Sequence, residues 1–173
     1  MITIRFATAD DAELIADISR QTFYETFTSH NSKEDMDKFM NEQFTKEALM
    51  KEAGAEGATF FLAYDGEKPV GYAGMREGEK RFEFDTKSSI EIARIYALQS
   101  SIGKGVGKAL MEKCIEVATE KKKEIIWLGV WENNEKAIGF YIRFGFEKFA
   151  QHNFILGDDV QTDWLMKKPL AGL

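Results

Sequence analysis

Three glycines at alternate positions, Gly103, Gly105 and Gly107, lie between a β-branched run that ends near Ala97 and an amphipathic run that begins at Val106. Glycine lets main chain approach a ligand closely, and the unpaired amides at a helix start point outward with the positive end of the helix dipole. The stretch 91–108 therefore reads as an anion site whose natural occupant is a phosphate-bearing cofactor. Other reactive side chains are scarce. The single cysteine, Cys114, falls on the apolar side of a helical pattern and reads as a small buried residue. With no second cysteine, and with His30 and His152 far apart, neither a disulfide framework nor a metal site is expected.

Two nucleotide motifs fail at this turn. A P-loop requires a glycine at position 102 and a Ser or Thr after Lys108, but the chain has Ile102 and Ala109. A dinucleotide fingerprint requires a third glycine at position 108, which is lysine.

The elements that must position the glycine turn follow from periodicity. Residues 1–6 read as a first strand, and Thr8-Ala9-Asp10-Asp11 as a helix start ahead of Leu14, Ile15, Ile18 and Phe23, with residues 23–27 at or beyond the end of that helix. Met36, Phe39, Met40 and Phe44 mark a second helix, and 46–53 a short third one. Strands at 59–64 and 69–75 flank an Asp65-Gly66 hairpin turn. The strongly charged segment 77–87 reads as a solvated loop or a strand extension, and 89–97 as the strand that enters the glycine turn. Val106, Leu110, Cys114 and Val117 form the next helical stripe, widened by Met111 and Ala118. Residues 125–130 are almost continuously apolar, as in a strand buried on both faces. Asn133 or Asn134 then caps a helix with Ala137, Phe140, Tyr141 and Phe144 on one side, and Gly145 ends it. Residues 146–154 and 161–168 read as closing strands around a turn at 157–159.

A chain of 173 residues is large enough to bury a sizeable core without metal or disulfide support, and it reads as one domain over 1–173. Its 29 acidic against 23 basic residues give a net charge of −6, which argues against non-specific nucleic-acid binding and leans towards cationic ligands. No stretch approaches the roughly 18 consecutive apolar residues of a membrane span, so a cytoplasmic protein with no membrane partner is expected.

Residues 102–107, Ile-Gly-Lys-Gly-Val-Gly, resemble the pyrophosphate signature Gln/Arg-x-x-Gly-x-Gly/Ala of the Gcn5-related N-acetyltransferases (GNAT), with Ile102 in place of Gln or Arg. A second segment, Asn134-x-x-Ala137-x-x-Phe140-Tyr141 followed by Gly145-Phe146, resembles the closing motif of the same family. Residues 126–134, Ile-Trp-Leu-Gly-Val-Trp-Glu-Asn-Asn, look narrowly like the bacterial PaiA-type polyamine N-acetyltransferases. So do Glu-Ile-x-Arg-Ile-Tyr before the glycines, Phe23-x-x-Thr26-Phe27, and the segment 157–163, with Ala93 as a departure.

The resemblance implies an α/β (α+β) fold: a mixed, mostly antiparallel sheet of about seven strands, its two central parallel strands splayed, flanked by four to five helices. It also implies acetyl-coenzyme A as cofactor and a small-molecule amine as acceptor, polyamines first; homodimers are common in the family. The pantetheine arm would lie along Ile95, Tyr96 and Ala97, and the pyrophosphate would be held by Ile102, Gly103, Lys104, Gly105, Val106, Gly107 and Lys108. Asn134 would bond the cofactor arm, and Tyr141 would protonate the leaving thiolate.

An amine with a pKa of about 10.4 is almost wholly protonated at neutral pH, so direct transfer needs a base. Glu91 is the first candidate and Glu132 the second, Ala93 having no acid group. Glu25, Asp158 and Asp159 could attract a polycation, and Phe27 and Trp131 could pack its methylenes. Plainer readings stay open: Tyr141 as a core aromatic, Asn134 as a helix cap, Glu91 as a solvated carboxylate at a strand entrance. Another acceptor (an amino acid, an aminoglycoside, a protein N-terminus) or a non-catalytic acyl-coenzyme A-binding module also stays open.

Overall fold

Short β-branched and aromatic runs joined by tight turns build the first half of the sheet. β1 (Ile2–Phe6) pairs antiparallel with β2 (Ala58–Asp65), and the Asp65-Gly66 turn returns the chain as β3 (Lys68–Arg76). Between β1 and β2 run α1 (Ala12–Phe27), α2 (Lys33–Glu42) and α3 (Lys46–Ala53). α2 and α3 start where Ser32 and Thr45 accept hydrogen bonds from the main-chain N–H groups of Asp35 and Ala48. α1 continues through Phe27, beyond the end suggested by its sequence, because Phe23 and Phe27 bury their rings against Phe44 and Trp131 from the last two turns.

β4 (Ser89–Ala97) enters the glycine turn, α4 (Val106–Glu120) follows it, and β5 (Ile125–Trp131) lies parallel to β4. α5 (Glu135–Arg143) leads into β6 (Glu147–Leu156) and β7 (Asp159–Pro169). The structure describes residues 1–170 of this computed structural model, and these form one seven-stranded sheet in the order β1-β2-β3-β4-β5-β7-β6. Only β4 and β5 are parallel neighbours; every other pair is antiparallel. The mixed seven-stranded sheet and its five α-helices agree with the expected fold class.

Helices α4 and α5 cover one face, where Leu110, Met111, Cys114, Val117, Ile138 and Tyr141 pack on Ile90, Ile92, Ile126 and Leu128. α1 to α3 cover the other, with Ile15, Ile18, Phe23 and Phe27 facing the sheet. The segment 77–87 corrects the reading of a merely solvated loop. It makes a short 3-10 turn at Phe82–Phe84 that buries Phe84 against Phe149 and Trp127 and lays Arg81 over the Trp127 ring. An apolar ring among charged neighbours, without periodicity, gave no sequence signal for this anchor.

Candidate active site

The site begins with a break in the sheet. β4 and β5 pair from Ser89↔Ile125 to Ile92↔Leu128 and no further, although both strands continue to Ala97 and Trp131. Their outer edges stay paired, β4 to β3 through Ala97 and β5 to β7 through Asp163. Only the facing edges, residues 93–97 and 129–131, are left without a ladder partner, and main-chain polar groups in such a gap call for a hydrogen-bonding occupant. The break coincides with a bulge: Gly74 lies opposite Arg94 and Met75 opposite Ile92, so Ala93 is the extra residue. The bulge also resets which way β4 faces. Ile90 and Ile92 point towards α4, and after Ala93 it is Ile95 and Ala97 that do so, leaving Tyr96 to pack on the α1 side.

At the end of β4, Gln99–Ser101 form a 3-10 turn that leads into the glycines. Gly103 and Gly105 both have φ of +85°, a conformation that side chains rarely adopt, and Gly105 is the N-cap of α4. Past that cap, the first α4 amide with a main-chain acceptor behind it is Ala109, bonded to the Gly105 carbonyl. The amides of Val106, Gly107 and Lys108 are the orphan donors of the helix start. Gly107 is different from its two neighbours: it is helical, and an added Cβ would meet only the Phe140 ring at 3.6 Å. Protein packing leaves room there for a methyl group, so the first turn of α4 presents bare main chain. The free strand edges, the left-handed turn and the bare first turn of α4 fit an extended, amide-containing cofactor with a phosphate end.

Tyr141 lies on the buried face of α5, against Phe140 and Phe146. Burial pushes its phenol well above the ordinary value, and Tyr96 and Cys114 push in the same direction. It is a core aromatic, in the same cluster as Ile95 and Ala97 of the unpaired β4 edge. Asn134 caps α5, its side-chain oxygen accepting from the Ala137 N–H at 3.3 Å, which leaves its amide nitrogen available to a ligand. Cys114 is fully buried and its thiol pushed up by burial, as expected for a structural residue. Ile102 stands 63% exposed at the turn, where the family signature has a polar side chain.

The sequence-predicted acceptor residues do not all meet. Phe27 and Trp131 do: their rings approach edge-on at 5.9 Å, with His30 at 5.3 Å from Trp131, at the open end of β5. Glu25 accepts the Gln99 main-chain N–H at 3.1 Å and so braces the turn after β4. Asp158 pairs with Lys38 at 2.5 Å and Asp159 accepts from Gln161 at 3.0 Å, so the two join the last hairpin to α2 and to itself. Glu91 sits in the paired part of β4, opposite Trp127, with its carboxylate 2.5 Å from the Arg76 guanidinium. That ion pair ties the carboxylate to Arg76, away from the opening. Glu132 is exposed just past β5.

Sequence reasoning gave no role to Asp163. It stands opposite Trp131 on β5 and His152 on β6, its carboxylate 3.6 Å from the imidazole. The alternation of the last strand is visible in the sequence, but not that β7 inserts beside β5.

The family model described as "Acetyltransferase (GNAT) family" matches residues 14–146. This chain belongs to the GNAT acetyltransferase family. An uncharacterized N-acetyltransferase of Lactobacillus delbrueckii subsp. lactis is 42% identical to this GNAT chain over 169 residues, covering 97% of it and 96% of the relative. A spermidine N(1)-acetyltransferase of Thermoplasma acidophilum is 20% identical and covers 96% of each. The PaiA N-acetyltransferase of Thermoplasma acidophilum, solved in complex with coenzyme A, has the same fold at TM-score 0.73 and 19% identity, covering 98% of this chain and 99% of that one. The ribosomal-protein-S18-alanine N-acetyltransferase of Escherichia coli matches equally well, at TM-score 0.74 and 16% identity, covering 100% and 96%. The fold is thus common to the PaiA N-acetyltransferase and to an enzyme named for an alanine of ribosomal protein S18, and at such identities it carries no acceptor preference. No helix among the described residues is long and apolar enough to cross a membrane.

Proposed function

We propose that this chain is an acetyl-coenzyme A-dependent N-acetyltransferase that passes acetyl directly to a primary amine of a small cationic acceptor, polyamines such as spermidine first, in the cytoplasm. The observation that carries the reading is the opening of β4 from β5 beyond Ile92 and Leu128, with the glycine turn at its end and Tyr141 beside it. The main chain of Ile95, Tyr96 and Ala97 would hold the amides of the cofactor arm, the amides from Ile102 to Lys108 its pyrophosphate, and the free Asn134 amide its middle. When bound, the cofactor supplies acetyl as an activated thioester. Tyr141, kept protonated by burial, holds at its hydroxyl the proton needed by a departing thiolate. With Cys114, the single cysteine, sealed in the core, no thiol offers a covalent detour, which favours direct transfer.

The polyamine choice is supported by the net charge of −6, by the aromatic pair Phe27 and Trp131 beside the opening, and by the relative named as a spermidine N(1)-acetyltransferase. The test is purified protein with acetyl-coenzyme A and a panel of spermidine, spermine, amino acids, an aminoglycoside and an N-terminal peptide, followed by free-thiol release. Turnover on polyamines alone is expected. Turnover only on the peptide or amino acids would move the acceptor class, and cofactor binding without turnover on any amine would leave a non-catalytic binding module.

A further inference from the structure

We propose that Asp163 is the proton acceptor for the acceptor amine, with His152 passing the proton to solvent. This rests on the acetyltransferase reading and replaces Glu91 in it.

The placement is geometric. Trp131, Asp163 and His152 are cross-strand partners in one row over β5, β7 and β6, so they share the face on which Trp131 meets Phe27. The residue two before Trp131 on β5 is Gly129, exposed on the unpaired edge where the strands part. A Cβ built on Gly129 would stand 3.7 Å from the Asp163 carboxylate and 3.5 Å from Leu165, so the carboxylate overlooks bare main chain at the start of the opening. A primary ammonium entering there would have the acid on one side and the Trp131 and Phe27 rings on another. From β6, Asp163 is faced by His152; from β4, Tyr96 is the group that feels its charge; β5 presents Gly129 and Trp131, and His30 lies across the Trp131 ring.

The chemistry suits the place. The Asp163 side chain is 22% exposed and its neighbour His152 51% exposed. Burial raises the carboxyl above its ordinary value against the opposing pull of His152, which makes it a better base than a solvated aspartate while the imidazole keeps contact with water. Glu91, by contrast, is tied to Arg76 below the opening. The step is balanced within the chain: one N–H bond of the ammonium breaks, an O–H bond forms at Asp163, the electron pair stays on nitrogen, and the proton leaves through His152.

The experiment compares the wild-type protein with Asp163→Asn, Asp163→Glu and Glu91→Gln. The Asn variant should lose about 100-fold in kcat/KM for spermidine at pH 7. That loss should shrink towards pH 9.5, as more of the amine is already free. The Glu variant should recover part of the rate, and Glu91→Gln should keep the wild-type pH profile. Calorimetry of spermidine binding to protein saturated with coenzyme A gives a readout apart from turnover: the Asn variant should bind about tenfold more weakly, with coenzyme A affinity unchanged. A loss in Asp163→Asn that is the same at every pH, or no loss, overturns the proposal and leaves the acetyltransferase reading in place. Wild-type protein that turns over no amine sinks that reading instead.

Discussion

Tyr141 and Asp163 lie on opposite faces of the sheet, and on the proposed mechanism each would serve a different stage of the same proton balance. Tyr141→Phe should lower turnover by about 100-fold while leaving coenzyme A affinity within a few-fold, because the ring packing against Phe140 and Phe146 is kept and only the hydroxyl is removed. Thiol-release kinetics beside calorimetric cofactor binding would check this, and unchanged turnover would remove Tyr141 from the chemistry. Residues of this kind were legible where the chemistry is local. The alternate glycines sit within one loop and the Asn134-to-Tyr141 spacing within about two turns of one helix, so their pattern survives in one dimension. Asp163 closes the 157–163 segment that resembles the PaiA-type enzymes, but it acquires a place beside the opening only from its neighbours on β5 and β6, 32 and 11 residues away in the chain.

At the scale of elements, the first turn of α4 separates stability from binding. Glycine in a helix costs up to about 1 kcal/mol relative to alanine. Gly107 has room for the methyl group. Gly107→Ala should therefore raise the melting temperature by about 2 °C and weaken coenzyme A binding, with thermal melts and calorimetry as the paired measurements. A fall in stability would show that the first turn is more tightly packed than the 3.6 Å approach to Phe140 indicates. Strands and helices were readable at this scale from periodicity, down to the Asp65-Gly66 turn and a cap at Asn133 or Asn134, of which Asn134 is the one used. The Ala93 bulge was not. Glu-Ile-Ala-Arg-Ile-Tyr alternates well enough to pass for regular strand, and the extra residue shows only against the register of β3. The anchor at Phe84 was hidden in the same way, since its partners Trp127 and Phe149 come from distant strands.

The molecule as a whole is acidic, and one carboxylate ties its first two elements together. Asp11 accepts both guanidinium nitrogens of Arg5 at 2.8 Å and the Thr8 main-chain N–H at 2.7 Å, so β1 is pinned to the start of α1. These bonds to Arg5 first, then to Thr8, hold the Asp11 carboxyl well below its ordinary value of 3.8. A depressed folded-state value means the stabilisation is complete above the unfolded value and is lost as pH falls below it. Asp11→Asn should cost about 1–2 kcal/mol at pH 7, the lower figure favoured because Arg5 is 46% exposed and screened by solvent. The gap between variant and wild type should narrow below about pH 4, as urea melts at pH 7, 4 and 2.5 would show. A gap independent of pH would mean that the pair contributes through packing alone. The order of strands has a further consequence for how the chain is made. β7 comes after β6 in the chain, yet it is the strip that joins β6 to β5. A nascent chain halted before Asp159 would carry an apolar β5 with one open edge and a β6 with no sheet to join, so the wall holding Asp163 and His152 closes last during synthesis.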